Sequence, residues 1–153
     1  MTRKVCKKVY KKSFQKKGFE KVFKKRFQKT RTRKNKKYKV AYHSACSMQH
    51  GQKVHNQPIE LLKKTGNNIL EVPDGHLCCG SAGTYNLLQD ELASELLKRK
   101  CENIKKVKPD IIAAGNIGCI NQIANGIEIP IVHTIELIDW FTGGKKPSGL
   151  NRL

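Results

Sequence analysis

The chain has almost no acid in its opening stretch, no long apolar run and no Cys-x-x-Cys pair. Residues 1–39 carry a single carboxylate, Glu20, against 19 lysines and arginines, a charge of +18. Residues 40–153 hold 12 basic and 11 acidic residues and are therefore nearly neutral. The formal +19 belongs to an N-terminal stretch and not to a folded body. A near-neutral body without aromatic–basic interleaving argues against nucleic acid as its partner. No run approaches the roughly 20 apolar residues of a membrane-spanning helix. No apolar segment follows the first lysines, so no secretory signal is expected and the expected location is cytoplasmic. Thiols in that setting stay reduced and serve metal or redox chemistry before structural disulfides. The missing Cys-x-x-Cys removes the usual signature of a zinc ribbon.

The stretch 1–38 is low in complexity. Phe19, Phe23 and Phe27 fall at i, i+4 and i+8, with Val22 and Arg26 alongside, the pattern of a basic amphipathic helix. Three readings stand open. One is an arm on an anionic membrane surface, at the inner membrane face, or on nucleic acid. Another is a solvated, mostly disordered extension, which the composition favours. The third is a stretch translated from A-rich DNA upstream of the domain. Cys6 lies there alone and receives no role.

From Lys39 onward the chain alternates strand and helix. Lys39-Val40-Ala41-Tyr42-His43 reads as a strand ending near Cys46. A helix through Pro58 to Lys64 follows, with Pro58 in its first turn and Gly66 as its stop. Asn68 to Val72 reads as a second strand, closed by Pro73-Asp74-Gly75. Thr84 to about Lys106 reads as one long amphipathic helix with Leu88, Leu92, Leu96, Leu97, Cys101 and Ile104 on its apolar face. Cys101 on that face is expected to be a small buried hydrophobe. Ile111 to Ala114 is apolar on both faces, as a covered strand should be. A short helix reaches Ala124 and ends at Gly126. Ile129 to His133 is a fourth strand, and Thr134 is expected to cap a last helix carrying Leu137, Ile138, Trp140 and Phe141. The order implies an α/β fold, an open and mainly parallel four-stranded sheet with helices on both faces. The domain is set at 39–142, and 143–153 at a loose C-terminal tail.

In such a sheet the carboxyl ends of the strands line the ligand crevice. Cys46 follows strand 1, Cys78 and Cys79 follow strand 2, and Cys119 follows strand 3, so four thiols from three loops should meet at one edge. His133, ending strand 4, would reach the same edge. Four thiolates satisfy a 4Fe–4S cluster or a structural zinc ion, and adjacent cysteines suit an object with several metal atoms better. A vicinal disulfide between Cys78 and Cys79 would leave Cys46 and Cys119 unexplained. Gly80, Gly83, Gly115 and Gly118 allow close backbone approach and could turn amide N–H groups toward an anionic cofactor. His43, His50 and His76 are taken as polar loop residues. Tyr85 and Asn86 could line the crevice, or lie on helix surface. No catalytic residue is assigned.

These residues resemble a known family. Cys46, then 31 residues, Cys78-Cys79-Gly80, then 38 residues and Cys119, is similar to the cysteine-rich "CCG" domain of heterodisulfide reductases and of glycolate and lactate oxidising complexes. His50-Gly51-Gln52, Cys78 through Asn86, Gly115 through Cys119 and His133 through Leu137 look like the last cysteine-rich repeat of the glycolate oxidase iron–sulfur subunit. The pattern closes here with Cys119-Ile120-Asn121-Gln122, so a fifth thiolate is missing. The ferredoxin-like module of that subunit has no counterpart, and the chain reads as a C-terminal piece. The resemblance implies an electron-transfer domain that takes electrons from a flavin-containing glycolate oxidase subunit. It also implies a ferredoxin-like iron–sulfur chain as a further partner. The competing expectation is a zinc-binding or metal-free interaction domain, a degenerate form of that subunit.

Overall fold

The computed structural model describes residues 37–151. The candidate amphipathic helix at Phe19, Phe23 and Phe27, and Cys6, lie outside the described residues.

Four strands form one sheet in the order β2-β1-β3-β4. They are β1 (Lys39–His43), β2 (Asn68–Leu70), β3 (Ile111–Ala114) and β4 (Ile131–His133). Every pairing is parallel: Val40 lies opposite Ile69 on one side and Ile111 on the other, and Ile112 lies opposite Ile131. Strand alternation then divides the residues between two cores. Val40, Tyr42, Ile111 and Ala113 face α1 (Asn56–Lys64), through Leu62, and a later helix, Thr134–Phe141, through Leu137, Ile138 and Phe141. Ala41 and Ile112 face the opposite layer with Cys79, Cys101, Ile104, Cys119 and Ile123. The fold is therefore α/β with helices on both faces, and Cys79, Cys101 and Cys119 belong to one layer. Ile112 is wholly buried, and cutting it to alanine should cost about 2–5 kcal/mol.

The expected long helix is broken. At Gln89 the backbone turns to φ −133°, ψ 59°, separating α2 (Tyr85–Leu88) from α3 (Asp90–Lys106). Leu88 and Leu92 are 76% and 56% exposed instead of buried. The inward stripe of α3 is Ala93, Leu97, Lys100, Cys101 and Ile104. Both stripes satisfy a 3.6-residue period in the sequence, and only packing chooses between them. α4 (Ile117–Ala124) starts earlier than expected, because Asn116 caps it by accepting the Cys119 N–H at 3.2 Å. α5 (Thr134–Phe141) is capped by His133, not Thr134: His133 Nδ1 accepts the Ile135 N–H, and Glu136 accepts the His133 N–H, each at 3.3 Å. β2 and β4 are each two residues shorter than the sequence implied. The C-terminal segment expected to be loose turns back at Ser148–Leu150, and Leu150 is wholly buried in the α1/α5 core. Pro147 and Gly149 hide that single anchor from any periodic pattern.

Candidate metal centre

The centre is assembled from the carboxyl ends of the strands. β1 alternates Ala41 and His43 toward the α3/α4 layer, so its last residue points its imidazole there, only 3% exposed. Beyond it, the Ala45 carbonyl accepts both the Met48 and Gln49 N–H groups at 3.0 Å, opening a wide helical turn with Cys46 at its start. The Gln49 side chain donates to the carbonyls of Ser44 at 3.0 Å and Gly75 at 3.3 Å, tying this turn to the loop after β2. That loop is held from beneath by Lys100. The Lys100 ammonium, 1% exposed, donates to the Asp74 and Gly75 carbonyls at 3.2 and 3.4 Å. Asn103 adds a hydrogen bond to the Asp74 carboxylate at 3.3 Å.

The loop then delivers Cys78, Cys79 and Gly80. Gly80 has φ +87°, and a Cβ there would stand 2.5 Å from the Ala93 carbonyl oxygen, so its backbone lies against α3. Its N–H donates to Cys78 Sγ at 3.4 Å. Cβ atoms on Gly115 and Gly118 would meet Met48 Sδ at 2.8 Å and Ser81 Oγ at 2.7 Å. Those two glycines let three loops close on one another. Gly83 also has positive φ, with open space around it.

The thiols meet in two groups. Cys46 Sγ and Cys78 Sγ are 3.9 Å apart and half-buried. The sulfurs of Cys79 and Cys119 and a ring nitrogen of His43 lie within 4.8 Å of one another, all buried. Cys79 is held well below the ordinary thiol range, at about 4, chiefly by a hydrogen bond from the Cys119 thiol, with the nearby His43 and the Ser81 N–H adding and burial opposing. Cys119 is pushed up for the reciprocal reason, reinforced by burial. The pair thus shares one proton between its two sulfurs. Burial raises Cys78, against the Gly80 N–H. Burial also lowers Lys100, while the Cys79 and Cys78 thiols and Asp74 oppose it.

Cys101 lies in the core of α3, where a Cβ on Gly126 would come within 2.7 Å of its sulfur. His50, His55 and His76 are exposed, and His133 is engaged in its cap. Asn86 donates to Gln122 at 3.1 Å, linking α2 to α4. Sequence reasoning took His43 for a polar loop residue and passed over Lys100. The strand parity of His43, and a lysine between Leu97 and Cys101 on an apolar face, were the available signals.

An open parallel sheet with four thiols at its carboxyl edge defines a cysteine-rich α/β domain built around a thiolate centre. The chain belongs to the cysteine-rich (CCG) domain family, which matches residues 40–124. It is 39% identical over 101 residues to the glycolate oxidase iron–sulfur subunit of Escherichia coli (strain K12), covering 66% of this chain and 25% of that one. It is 28% identical over 109 residues to lactate utilization protein A of Oceanobacillus iheyensis, covering 67% of this chain and 45% of that one. A probable glycolate oxidase iron–sulfur subunit of Bacillus subtilis (strain 168) is 32% identical over 90 residues, 58% of this chain and 20% of that one. The chain thus spans a quarter or less of the two glycolate oxidase subunits and under half of the lactate protein. Among the described residues no helix is long and apolar enough to cross a membrane.

Proposed function

We propose that residues 39–142 form an iron–sulfur electron-transfer domain of a glycolate-oxidase-type complex. Cys46, Cys78, Cys79 and Cys119 would hold a 4Fe–4S cluster. The observation that carries this reading is the convergence of four thiols from three loops, in the pairs Cys46–Cys78 at 3.9 Å and Cys79–Cys119. The donor set fits the group: soft sulfur ligands, one already a thiolate, surrounded by close-packed glycine loops.

The cluster supplies one-electron transfer when bound. The chain's own part is to hold and tune it. Buried Cys79 and Cys119 keep water from one side. The Gly80 N–H withdraws electron density from Cys78, and the Lys100 ammonium beneath the loop offsets thiolate charge. Half-buried Cys46 and Cys78 mark the side open to electron exchange. The partners of this reading are a flavin-containing oxidase subunit as donor and a ferredoxin-like iron–sulfur chain. Anaerobic purification followed by assay of iron, acid-labile sulfide and zinc tests it. Near-stoichiometric iron and sulfide with a brown chromophore are expected. Zinc alone, or a folded chain without metal, would replace it with the interaction-domain reading.

A further inference from the structure

His43 is a buried imidazole that, second to the Cys119 thiol, helps lower the Cys79 thiol. It is 3% exposed, and neither Nδ1 nor Nε2 has a partner at hydrogen-bond distance. An imidazole has two polar nitrogens, and leaving both unpaired away from water carries a cost comparable to lost hydrogen bonds. Such a group in a well-packed core calls for a missing partner, and an ion is one of the few that fit. The other histidines differ: His50, His55 and His76 are exposed, and His133 caps α5.

We infer that His43 is a metal ligand, binding the same centre as Cys79 and Cys119 through a ring nitrogen and, where that centre is a 4Fe–4S cluster, taking the place of one of the two half-buried thiols, Cys46 or Cys78. The three ligand atoms already lie within 4.8 Å of one another. Around a single tetrahedral ion such ligands stand roughly 3.5–3.8 Å apart, a little closer than here, whereas ligands on separate irons of a cluster stand farther apart, so the set lies between the two spacings. The backbone enforces the placement. His43 ends a central strand, paired on one side through Ala41–Leu70 and on the other through His43–Ala114. Strand parity sends its side chain to the cysteine layer. Imidazole is a borderline ligand that zinc and iron both accept beside thiolates. The inference rests on the thiolate-centre reading but not on which metal fills it.

The test uses the full chain, reduced and metal-free, in two arms. In the first, iron and sulfide are reconstituted anaerobically into wild type, His43→Cys and His43→Ala. The reduced cluster is then examined by pulsed electron paramagnetic resonance for coupling to a bound nitrogen. In the second, cobalt(II) alone is titrated and its visible absorption followed. Circular dichroism confirms that each variant is folded. The expected result is a nitrogen coupling in wild type that disappears in His43→Cys, with the cluster retained at a more negative potential. His43→Ala should hold metal at least tenfold more weakly. A full cluster with no nitrogen coupling would overturn the ligand role of His43 and leave the iron–sulfur reading intact. No cluster in wild type, but a cobalt spectrum that changes in His43→Cys, would overturn the iron–sulfur reading and support His43. Binding of neither metal would overturn both.

Discussion

At the scale of single residues, the five cysteines among the described residues separate by environment. Cys78→Ser or Cys79→Ser should abolish metal binding, whereas Cys101→Ser should keep it and cost about 1–2 kcal/mol in a packed core. Metal analysis with urea denaturation of the three variants checks this. If the Cys101 variant loses its metal while a Cys46→Ser variant keeps it, the ligand set is wrong. The shared proton of Cys79 and Cys119 gives a second expectation. Cys79 titrates near 4 in the folded chain against an ordinary value near 9, and Cys119 titrates above 9. Between those pH values the unfolded chain holds both protons and the folded chain one, so stability rises with pH. Above about 9 the unfolded chain has lost both while Cys119 keeps its own, and stability falls. Urea denaturation of the metal-free, reduced chain should therefore show a maximum near pH 9. Its low-pH slope should flatten in Cys79→Ser. The four thiols were legible in the sequence because their loop positions follow from strand order alone. His43 was legible only through its parity with Ala41 on β1, and parity names a face without saying that the cysteines lie on it.

At the scale of elements, the loop after β2 is fixed by one glycine more than by another. Gly83 has positive φ but open space, so Gly83→Ala should cost only the left-handed penalty, about 1–2 kcal/mol. Gly80 has the same sign of φ and stands against the Ala93 carbonyl. Gly80→Ala should cost clearly more, displace Cys78 and Cys79, and weaken metal binding. Equal midpoints for the two variants in thermal denaturation would contradict the close approach. Element identity was legible wherever pattern and packing agree: β1 and β3 lie where their apolar runs put them, and Gly66 follows the end of α1. The break at Gln89 was not legible. Leucines at 88, 92 and 96 continue a helical period straight through it, and the buried stripe of α3 includes a lysine that no apolar pattern would select.

At the scale of the whole molecule, parallel topology was readable from the alternation of strand and helix. The order β2-β1-β3-β4 was not, since alternation alone does not fix which strands are neighbours. The topology gathers the thiols at one edge and also encloses them: Cys79 and Cys119 are 1% and 4% exposed. These two sulfurs are therefore shielded from solvent in the closed fold. The segment from Ala82 to Leu92 has no buried residue, and the Asn86–Gln122 hydrogen bond tethers it to α4. Segments with so little burial open first. Where opening of this segment uncovers the sulfurs, cofactor insertion should follow its opening rate and not collision with the metal donor. Asn86→Ala should fill faster in a stopped-flow reconstitution, reach the same final iron content, and lose its cluster faster to a chelator. The same peptide segment that admits the cofactor would thus set how long it stays.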